Sequence, residues 1–400
     1  EQETSKLLAV GSIPTRGTKI IYMITPLSYT SKFLYRHAAK PVLFRLQPDN
    51  VHNGMLSFSK VMQRPHMMRA IISGTLAYKN PDALEQTLHG ITFHNPIGIS
   101  AGFDKNIEML PMLRAIGCGL MEGGTITNLP SDGNPRPWFH RLPNTQALVV
   151  HAGLPNHGID AILPRLVAMP VRVRGDFPLN ISTAPSNVMS VDTTSKMITD
   201  CVTGLKKIKK SKVASMITIN LSCPNTTGGE PFTQPKELDI FLAAIDKVKL
   251  PVPVFLKMPN QLSWRQFDAL LRVAVRHDIA GVTIANLVKK RSLVDIKDPL
   301  SDATPGGISG RPTFTPSNEL IKKTYQKYGN HLTIIGVGGV FSAEDAYEKI
   351  KCGASLVELI TGMIFEGPGI VGQINRELVS LLKKDGYATI SQAIGVYHRK

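Results

Sequence analysis

The sequence predicts a (β/α)8 TIM barrel, an α/β fold, with a helical extension at its N-terminal end. Two observations lead to this fold class: eight short apolar runs recur between residues 97 and 361, and helix-like stretches separate most of them. Eight buried strands alternating with helices over about 270 residues are typical of a closed parallel barrel. A doubly wound sheet is the alternative, but it rarely needs eight regular units of this length.

The N-terminal fifth of the chain divides into two parts. We expect residues 1–27 to be a disordered extension and residues 28–78 to form a domain of two amphipathic helices. The first predicted helix includes Leu34 to Leu46, and the second runs from Val51 to Ile72. In each, basic residues are interleaved among the apolar ones. Such a pair can lie in a membrane interface, or it can pack as a cap on the main domain, and both roles can hold together.

Positive charge is concentrated in this extension. The chain has a net charge of +16, and residues 1–80 contribute 11 Lys/Arg against 3 Asp/Glu. A basic segment favours an anionic partner, and we expect phospholipid rather than nucleic acid. No apolar run reaches the roughly 18–20 residues needed to span a bilayer, so the sequence indicates peripheral association.

The four cysteines, at positions 118, 201, 223 and 352, show neither CxxC nor metal-type spacing. This pattern argues against a zinc site and a disulfide scaffold, and we expect no metal. A reducing compartment fits the composition, and it leaves a single cysteine free for a chemical role.

Residues 79–400 are predicted to form the barrel domain. The eight predicted strands are Ile97–Ala101, Gly119–Thr127, Pro178–Thr183, Met216–Cys223, Val252–Met258, Gly281–Asn286, Leu332–Gly339 and Leu356–Thr361. The predicted helices between them include Asp104–Ile116, Ser195–Lys210, Pro235–Lys249, Ser263–His277, Ser317–Tyr328 and Ala343–Lys351. Residues 128–177, between the second and third strands, are too long for a simple connection, so we expect a small subdomain over the active site.

Polar residues at the C-terminal ends of barrel strands are the default catalytic candidates. The seventh and eighth strands end in glycine-rich turns at Gly336–Gly339 and Thr361–Gly362, where barrels bind phosphate through backbone N–H groups. Asn and Lys side chains at other strand ends suit a planar, carbonyl-rich ring such as a flavin or pyrimidine. Cys223 lies among them, and a thiolate there could take a proton from an activated carbon.

The sequence resembles the dihydroorotate dehydrogenase family over residues 30–400. The motifs that carry the resemblance are Asn95–Gly98, Ala101–Asn106, Gly133–Pro137 with Arg141–Pro143, Asn220–Asn225, Gly306–Gly310, Ile335–Val340 and Gly353–Val357. The N-terminal helices and the closing segment Ala393–Arg399 are similar to the membrane-associated, quinone-dependent class 2 of that family.

The resemblance implies an FMN-dependent oxidation of (S)-dihydroorotate to orotate in de novo pyrimidine biosynthesis. Cys223 would be the catalytic base, and ubiquinone or menaquinone the electron acceptor. Implied FMN contacts are Ala101, Gly102, Thr125, Asn220, Lys257, Ser309, Gly310, Gly338, Gly339 and Thr361. Implied orotate contacts are Lys105, Asn220, Asn225 and Asn286, and His52 and Arg141 would line the quinone path. The implied location is the cytoplasmic side of the bacterial inner membrane, or the mitochondrial inner membrane in a eukaryote.

Several residues depart from the class 2 pattern. Class 2 usually has Ser at the position of Cys223, whereas Cys is typical of the soluble class. Val150 and Leu287 replace polar residues expected to contact substrate, and Ser182 replaces an Asn of the family. Two alternatives therefore stay open: a related FMN-dependent dihydropyrimidine oxidoreductase with a soluble acceptor such as fumarate, and a non-catalytic basic protein that binds membrane or nucleic acid. The intact motifs at the strand ends argue against the second alternative.

Overall fold

A closed barrel of eight parallel strands forms the centre of the molecule. The structure is a computed structural model that describes residues 30–222 and 229–399. The strands, labelled β1 to β8, are Ile97–Ile99, Leu120–Ile126, Leu179–Thr183, Met216–Asn220, Val254–Lys257, Gly281–Ile284, Thr333–Val337 and Leu356–Leu359. Each pairs with the next along the chain, and β8 pairs with β1 to close the barrel. The predicted fold class is confirmed, and every predicted strand contains an observed one.

The interior of the barrel has an apolar floor and a polar layer above it. The floor consists of Leu120, Met216, Phe255, Ile335 and Leu356, closed from below by Phe93. Phe93 belongs to a hairpin of Gln86–Leu88 with Ile91–Phe93, which the sequence analysis did not identify. Because strand side chains alternate between faces, the residues two positions further along each strand also point inward. Four of the five are polar and buried, namely Glu122, Thr218, Lys257 and Glu358, and the fifth is Val337.

A helix follows each strand and covers the outside of the barrel. The eight helices are Leu110–Ala115, Ile159–Val167, Thr194–Ser211, Pro235–Asp246, Trp264–Ala274, Phe314–Tyr328, Ala343–Cys352 and Ile370–Lys384. Three of them begin at a capping side chain that accepts a backbone N–H: Thr193, Ser263 and Ser342. Ile159–Val167 was missed because it lies inside the long connection and contains Pro164.

The long connection contributes two strands to a small antiparallel sheet over the mouth of the barrel. Phe139–Leu142 pairs with Ala147–Val150, within the region 128–177 where a small subdomain was predicted. The third strand, Gly307–Gly310, comes from the connection after β6 and was predicted only as a binding motif. The sheet therefore joins two connections that are distant in sequence.

The N-terminal extension forms three helical segments where two helices were predicted. A first segment combines Tyr35–Ala39 with Lys40–Leu43, and it is followed by α1, Pro48–Met62, and α2, His66–Leu76. The prediction of one helix over Val51–Ile72 is wrong because Pro65 disfavours the helical conformation of the residue before it. Within the described residues, no helix is long and apolar enough to span a membrane.

Polar contacts attach the N-terminal segments to the barrel. The buried carboxylate of Asp49 accepts the backbone N–H groups of Trp138 and Phe139 at 3.1–3.3 Å. The hydroxyl of Tyr35 donates to the carbonyl of Ile364 at 2.6 Å. Arg36 and Lys32 form ion pairs with the buried Glu366. These contacts place α1 beside the small antiparallel sheet, at the mouth of the barrel.

Candidate active site

The strand ends and the N-terminal helices enclose one cavity of about 450 Å³. Its polar end lies at the strand ends and its apolar end lies against the helical segments. The sequence-predicted residues that line it are His52, Ala101, Gly102, Lys105, Thr125, Arg141, Asn220, Lys257, Asn286, Ser309 and Thr361. Among the helix residues that line it are Leu43, Met55, Phe58, Met62, Ile72 and Leu76. The cavity thus runs without a break from polar to apolar surroundings.

A smaller cavity of about 90 Å³ adjoins the first at the ends of β7 and β8. It shares Ala101, Lys257, Asn286, Ser309 and Thr361 with the large cavity, and the remaining sequence-predicted residues, Gly310, Gly338 and Gly339, line it. Cys223 and Asn225 lie outside the described residues.

The glycines of the smaller cavity are required by close backbone approaches. Gly338 and Gly339 have φ angles of 115° and 70°, and a Cβ at Gly339 would lie 2.5 Å from Cβ of Phe314. A Cβ at Gly362 would lie 2.0 Å from the carbonyl oxygen of Val340. Only glycine fits at these positions, because a side chain would collide with the protein atoms around the turns. Beside these turns, the small cavity is lined by the backbone of Gly338, Gly339 and Gly362.

Hydrogen bonds orient the polar side chains at the floor of the large cavity. Asn286 Nδ2 donates to Asn220 Oδ1 at 3.1 Å, and Asn220 Nδ2 donates to Thr125 Oγ1 at 3.2 Å. Thr125 in turn bonds to Ser182 at 3.0 Å. The chain of bonds spans four strand ends. It holds the amides in one orientation, which favours recognition of a ring with defined donors and acceptors.

Lys257 lies at the junction of the two cavities and has a buried ion pair. Its Nζ is 3.0 Å from Glu122 Oε2 and 2.8 Å from Ser100 Oγ. Burial alone would raise the pKa of Glu122, but the charge of Lys257 holds this pKa below its ordinary value. Sequence reasoning missed Ser100, Glu122 and Glu358. A glutamate inside an otherwise apolar strand run was the available signal for the two carboxyls.

Lys105 separates the polar and apolar parts of the large cavity. Its Nζ lies 3.4 Å from Nε2 of His52 in α1 and 4.9 Å from the ring centre of Phe139. Burial lowers the pKa of Lys105 to about 8. Burial and the neighbouring Lys105 charge lower the pKa of His52 to about 3, so its imidazole is neutral at physiological pH. A neutral imidazole can accept the lysine proton in a hydrogen bond.

Arg141 contacts the first helical segment beside the apolar part of the cavity. Its Nη1 donates to the backbone carbonyls of Leu46 at 2.7 Å and Phe44 at 3.3 Å, and its guanidinium lies 4.8 Å from the ring centre of Phe44. The residue therefore links the small antiparallel sheet to the N-terminal helices. Tyr35 lines the same end of the cavity.

Two apolar residues stand among the polar ones. Val150 and Leu287 both line the large cavity, beside Asn220 and Asn286. Ser182 is fully buried and engaged with Thr125. Within residues 30–222 and 229–399, no group of three His, Cys, Asp or Glu side chains is arranged to hold a metal ion.

The fold and the residues at its mouth define a (β/α)8-barrel oxidoreductase. Residues 83–382 match the family model described as dihydroorotate dehydrogenase, and the chain belongs to this flavin-dependent family. It is 33% identical over 367 residues to a dihydroorotate dehydrogenase (quinone) of Anaeromyxobacter dehalogenans, covering 91% of this chain and 97% of that protein. It is 37% identical over 344 residues to one of Burkholderia cenocepacia, covering 84% and 94%.

Solved structures show the same likeness. The chain resembles DHODH of Eimeria tenella, crystallised in complex with ferulenol, with a TM-score of 0.79 and 27% sequence identity. The match covers 90% of this chain and 99% of that one. About a tenth of this chain therefore lies outside the compared region.

Proposed function

We propose that this protein oxidises (S)-dihydroorotate to orotate in pyrimidine biosynthesis, with FMN as cofactor and a membrane quinone as acceptor. The observation that carries the proposal is the single cavity that joins the polar strand ends to the apolar N-terminal helices. One end suits a charged pyrimidine and the other suits an apolar acceptor. The quinone-dependent enzymes similar to this chain over nine-tenths of its length support the assignment.

The residues at the strand ends fit FMN. Ala101, Gly102, Thr125, Asn220 and Lys257 would surround the ring, and the glycines and hydroxyls of the smaller cavity would hold its phosphate end: Ser309, Gly310, Gly338, Gly339 and Thr361. When bound, FMN would supply the acceptor for the hydride from C6 of the substrate and a route for two electrons to the quinone.

The chain itself would bind the substrate and remove its proton. The buried ammonium of Lys105 would neutralise the carboxylate, while Asn220, Asn286 and Asn225 would hold the ring amides and carbonyls. Cys223, which follows β4 in sequence, would take the C5 proton as a thiolate. Lys257 would stabilise the negative charge that the flavin ring gains with the hydride.

The quinone would enter between the N-terminal helices, past His52 and Arg141. Apolar side chains line this route, and basic residues of the same helices would favour anionic phospholipid headgroups. We place the protein peripherally on the cytoplasmic side of a bacterial inner membrane, or on the mitochondrial inner membrane in a eukaryote.

Acceptor choice provides the test of this proposal. Protein loaded with FMN should lose the visible absorbance of oxidised flavin when dihydroorotate is added without oxygen. A short-chain ubiquinone or menaquinone should restore the absorbance faster than fumarate does. Failure to take up FMN, or recovery with fumarate but not with quinone, would contradict the proposal.

Cys223→Ala tests the assignment of the base. We expect the variant to retain FMN and to reduce it about 10²–10⁴-fold more slowly with dihydroorotate, the range for loss of a general base. Cys352→Ala, at a buried cysteine on an outer barrel helix, is the matched control. Stopped-flow absorbance measures both, and near-normal reduction in Cys223→Ala would refute the assignment.

Val150 and Leu287 favour an alternative substrate, another dihydropyrimidine, because each places an apolar side chain at the cavity wall. A missing hydrogen bond to a charged ligand group costs about 1.5–3 kcal/mol. A panel of dihydropyrimidines, compared by the rate of flavin reduction, decides between the two substrates. Dihydroorotate should react fastest if the main proposal is right.

A further inference from the structure

Two carboxyls and one ammonium share the polar layer of the barrel interior. Glu122, Lys257 and Glu358 are exposed by only 1%, 5% and 0%. Among the described residues, Lys257 pairs with Glu122, whereas Glu358 forms no ion pair and its carboxyl faces the Glu122 carboxyl and the Ser100 hydroxyl. The carboxyl of Glu358 is therefore a second acidic group for which the ion pair provides no counter-charge.

The position of Glu358 places it beside this ion pair. Glu358 lies on β8 in register with Gly98 of β1, and β1 is also the neighbour of β2, which carries Glu122. The Ser100 hydroxyl, just beyond the end of β1, donates to Glu122 Oε2 at 3.2 Å and also faces Glu358. The charged groups that face Glu358 are Glu122 from β2 and Lys257 from β5. The adjoining strands β1 and β7 contribute Ser100 and Val337, which do not titrate.

Charge balance determines the protonation of the group. Two ionised carboxylates with one lysine would leave an uncompensated negative charge in a dry interior, which is strongly unfavourable. Burial and the neighbouring Glu122 charge raise the pKa of Glu358 well above its ordinary value. The arrangement that follows is an ionised Glu122, a charged Lys257 and a neutral Glu358, with no net charge.

We propose that Glu358 is a positioning residue that stores the one proton shared by the two barrel carboxyls, and that this proton is held more tightly when FMN is reduced. The inference rests on the proposed function, because Lys257 lines both cavities where FMN would bind. When Glu358 is neutral, Glu122 is the one counter-ion of Lys257, and no second negative charge lies beside the ammonium that lines both cavities. Negative charge gained by the cofactor then disfavours loss of the Glu358 proton.

Infrared spectroscopy tests the stored proton directly, with or without cofactor. Wild-type protein at neutral pH should show the carbonyl stretch of a buried protonated carboxylic acid, and Glu358→Gln should lack it. Asp268→Asn is the matched control, because Asp268 is a buried carboxyl that Lys327 keeps ionised on an outer helix. A wild-type spectrum without this band, or an unchanged band in Glu358→Gln, would overturn the proposal.

The midpoint potential of bound FMN tests the link to reduction. Each extra proton taken up changes the equilibrium tenfold per pH unit, which is about 30 mV for a two-electron couple. We expect an alkaline range in which the wild-type potential falls about 30 mV per pH unit more steeply than that of Glu358→Gln. Parallel curves for the two proteins would contradict the link.

Glu122→Gln provides a second variant if Glu358→Gln does not fold. Without the Glu122 charge, Glu358 becomes the counter-ion of Lys257, so its acid band should disappear at neutral pH. A band that persists in Glu122→Gln would show that the two carboxyls are not coupled. Chemical reduction gives the potential whatever the physiological substrate is, so failure of this inference is separable from failure of the proposed function.

Discussion

Lys105 shows how a single residue can serve two parts of the site. It is buried between His52 on one side and the aromatic rings of Trp138 and Phe139 on the other. Its ordinary pKa is near 10.4, and burial lowers it to about 8. The ammonium is therefore charged at neutral pH, but it is within reach of deprotonation in mild alkali.

Orotate binding should consequently weaken as the pH rises through about 8. Only the charged lysine can neutralise the orotate carboxylate, and loss of that charge-assisted bond costs about 1.5–3 kcal/mol, or about 10–150-fold in Kd. Calorimetric titration of the oxidised protein between pH 6 and 10 measures this dependence. Lys105→Met should bind weakly at all these pH values. A pH dependence retained in Lys105→Met would assign the titration to another group.

At the scale of single residues, the sequence predicted which side chains lie together at the mouth of the barrel. It could do so because the C-terminal ends of all eight strands meet at that edge. It missed Glu122 and Glu358, which lie within strands. In a continuous apolar strand, the sequence does not show which positions face the barrel interior. The proximity of the two glutamates to Lys257 therefore becomes evident only in the closed barrel. The sequence likewise predicted Ser309 as a contact without showing that it lies on a strand.

At the scale of secondary structure elements, a few polar contacts attach the N-terminal helical segments to the barrel. Asp49 in the first turn of α1 satisfies two backbone N–H groups of the strand region at Trp138 and Phe139. This carboxylate acts across the interface as a capping residue acts at a helix start. The strands of the barrel and six of the eight helices around it were predicted from apolar periodicity. The Gly307–Gly310 strand was not, because it is short, glycine-rich and pairs with a distant segment.

Asp49→Ala should loosen the attachment of α1. Two partly buried backbone N–H groups would lose their acceptor, which costs at most about 1–3 kcal/mol each. We expect a lower Tm and faster proteolysis within residues 30–76. Asp192→Ala removes an exposed carboxylate whose ion pair with Lys196 contributes little, and it should leave both measurements unchanged. Equal effects in the two variants would show that the Asp49 contacts are not important.

At the scale of the whole molecule, one side of the protein is suited to a lipid surface. Nine of the 17 exposed large apolar side chains in the described residues lie between positions 33 and 71. The same segments carry seven Lys and Arg between positions 32 and 69. The charge excess was evident in the sequence. That the apolar side chains remain exposed after folding was not, because a helical cap could have buried them.

Vesicle binding should depend on these side chains. The double variant Val61→Ser/Met67→Ser should bind vesicles containing anionic phospholipid about 30-fold more weakly, since each residue contributes roughly 1 kcal/mol of apolar burial. Val171→Ser alters a similarly exposed residue outside the N-terminal segments and should bind like wild type. Co-sedimentation measures the affinity. A loss in Val171→Ser equal to that of the double variant would argue against a specific lipid-binding side.

The three-stranded sheet over the barrel mouth has a consequence for synthesis on the ribosome. The ribosome synthesises the strand Ala147–Val150 about 160 residues before its partner Gly307–Gly310. At about 5–20 residues per second this interval is on the order of 10 s. During that time the edge of Ala147–Val150 is open to pairing with other chains. The nascent protein is therefore prone to pairing between chains at this edge until the connection after β6 has been translated.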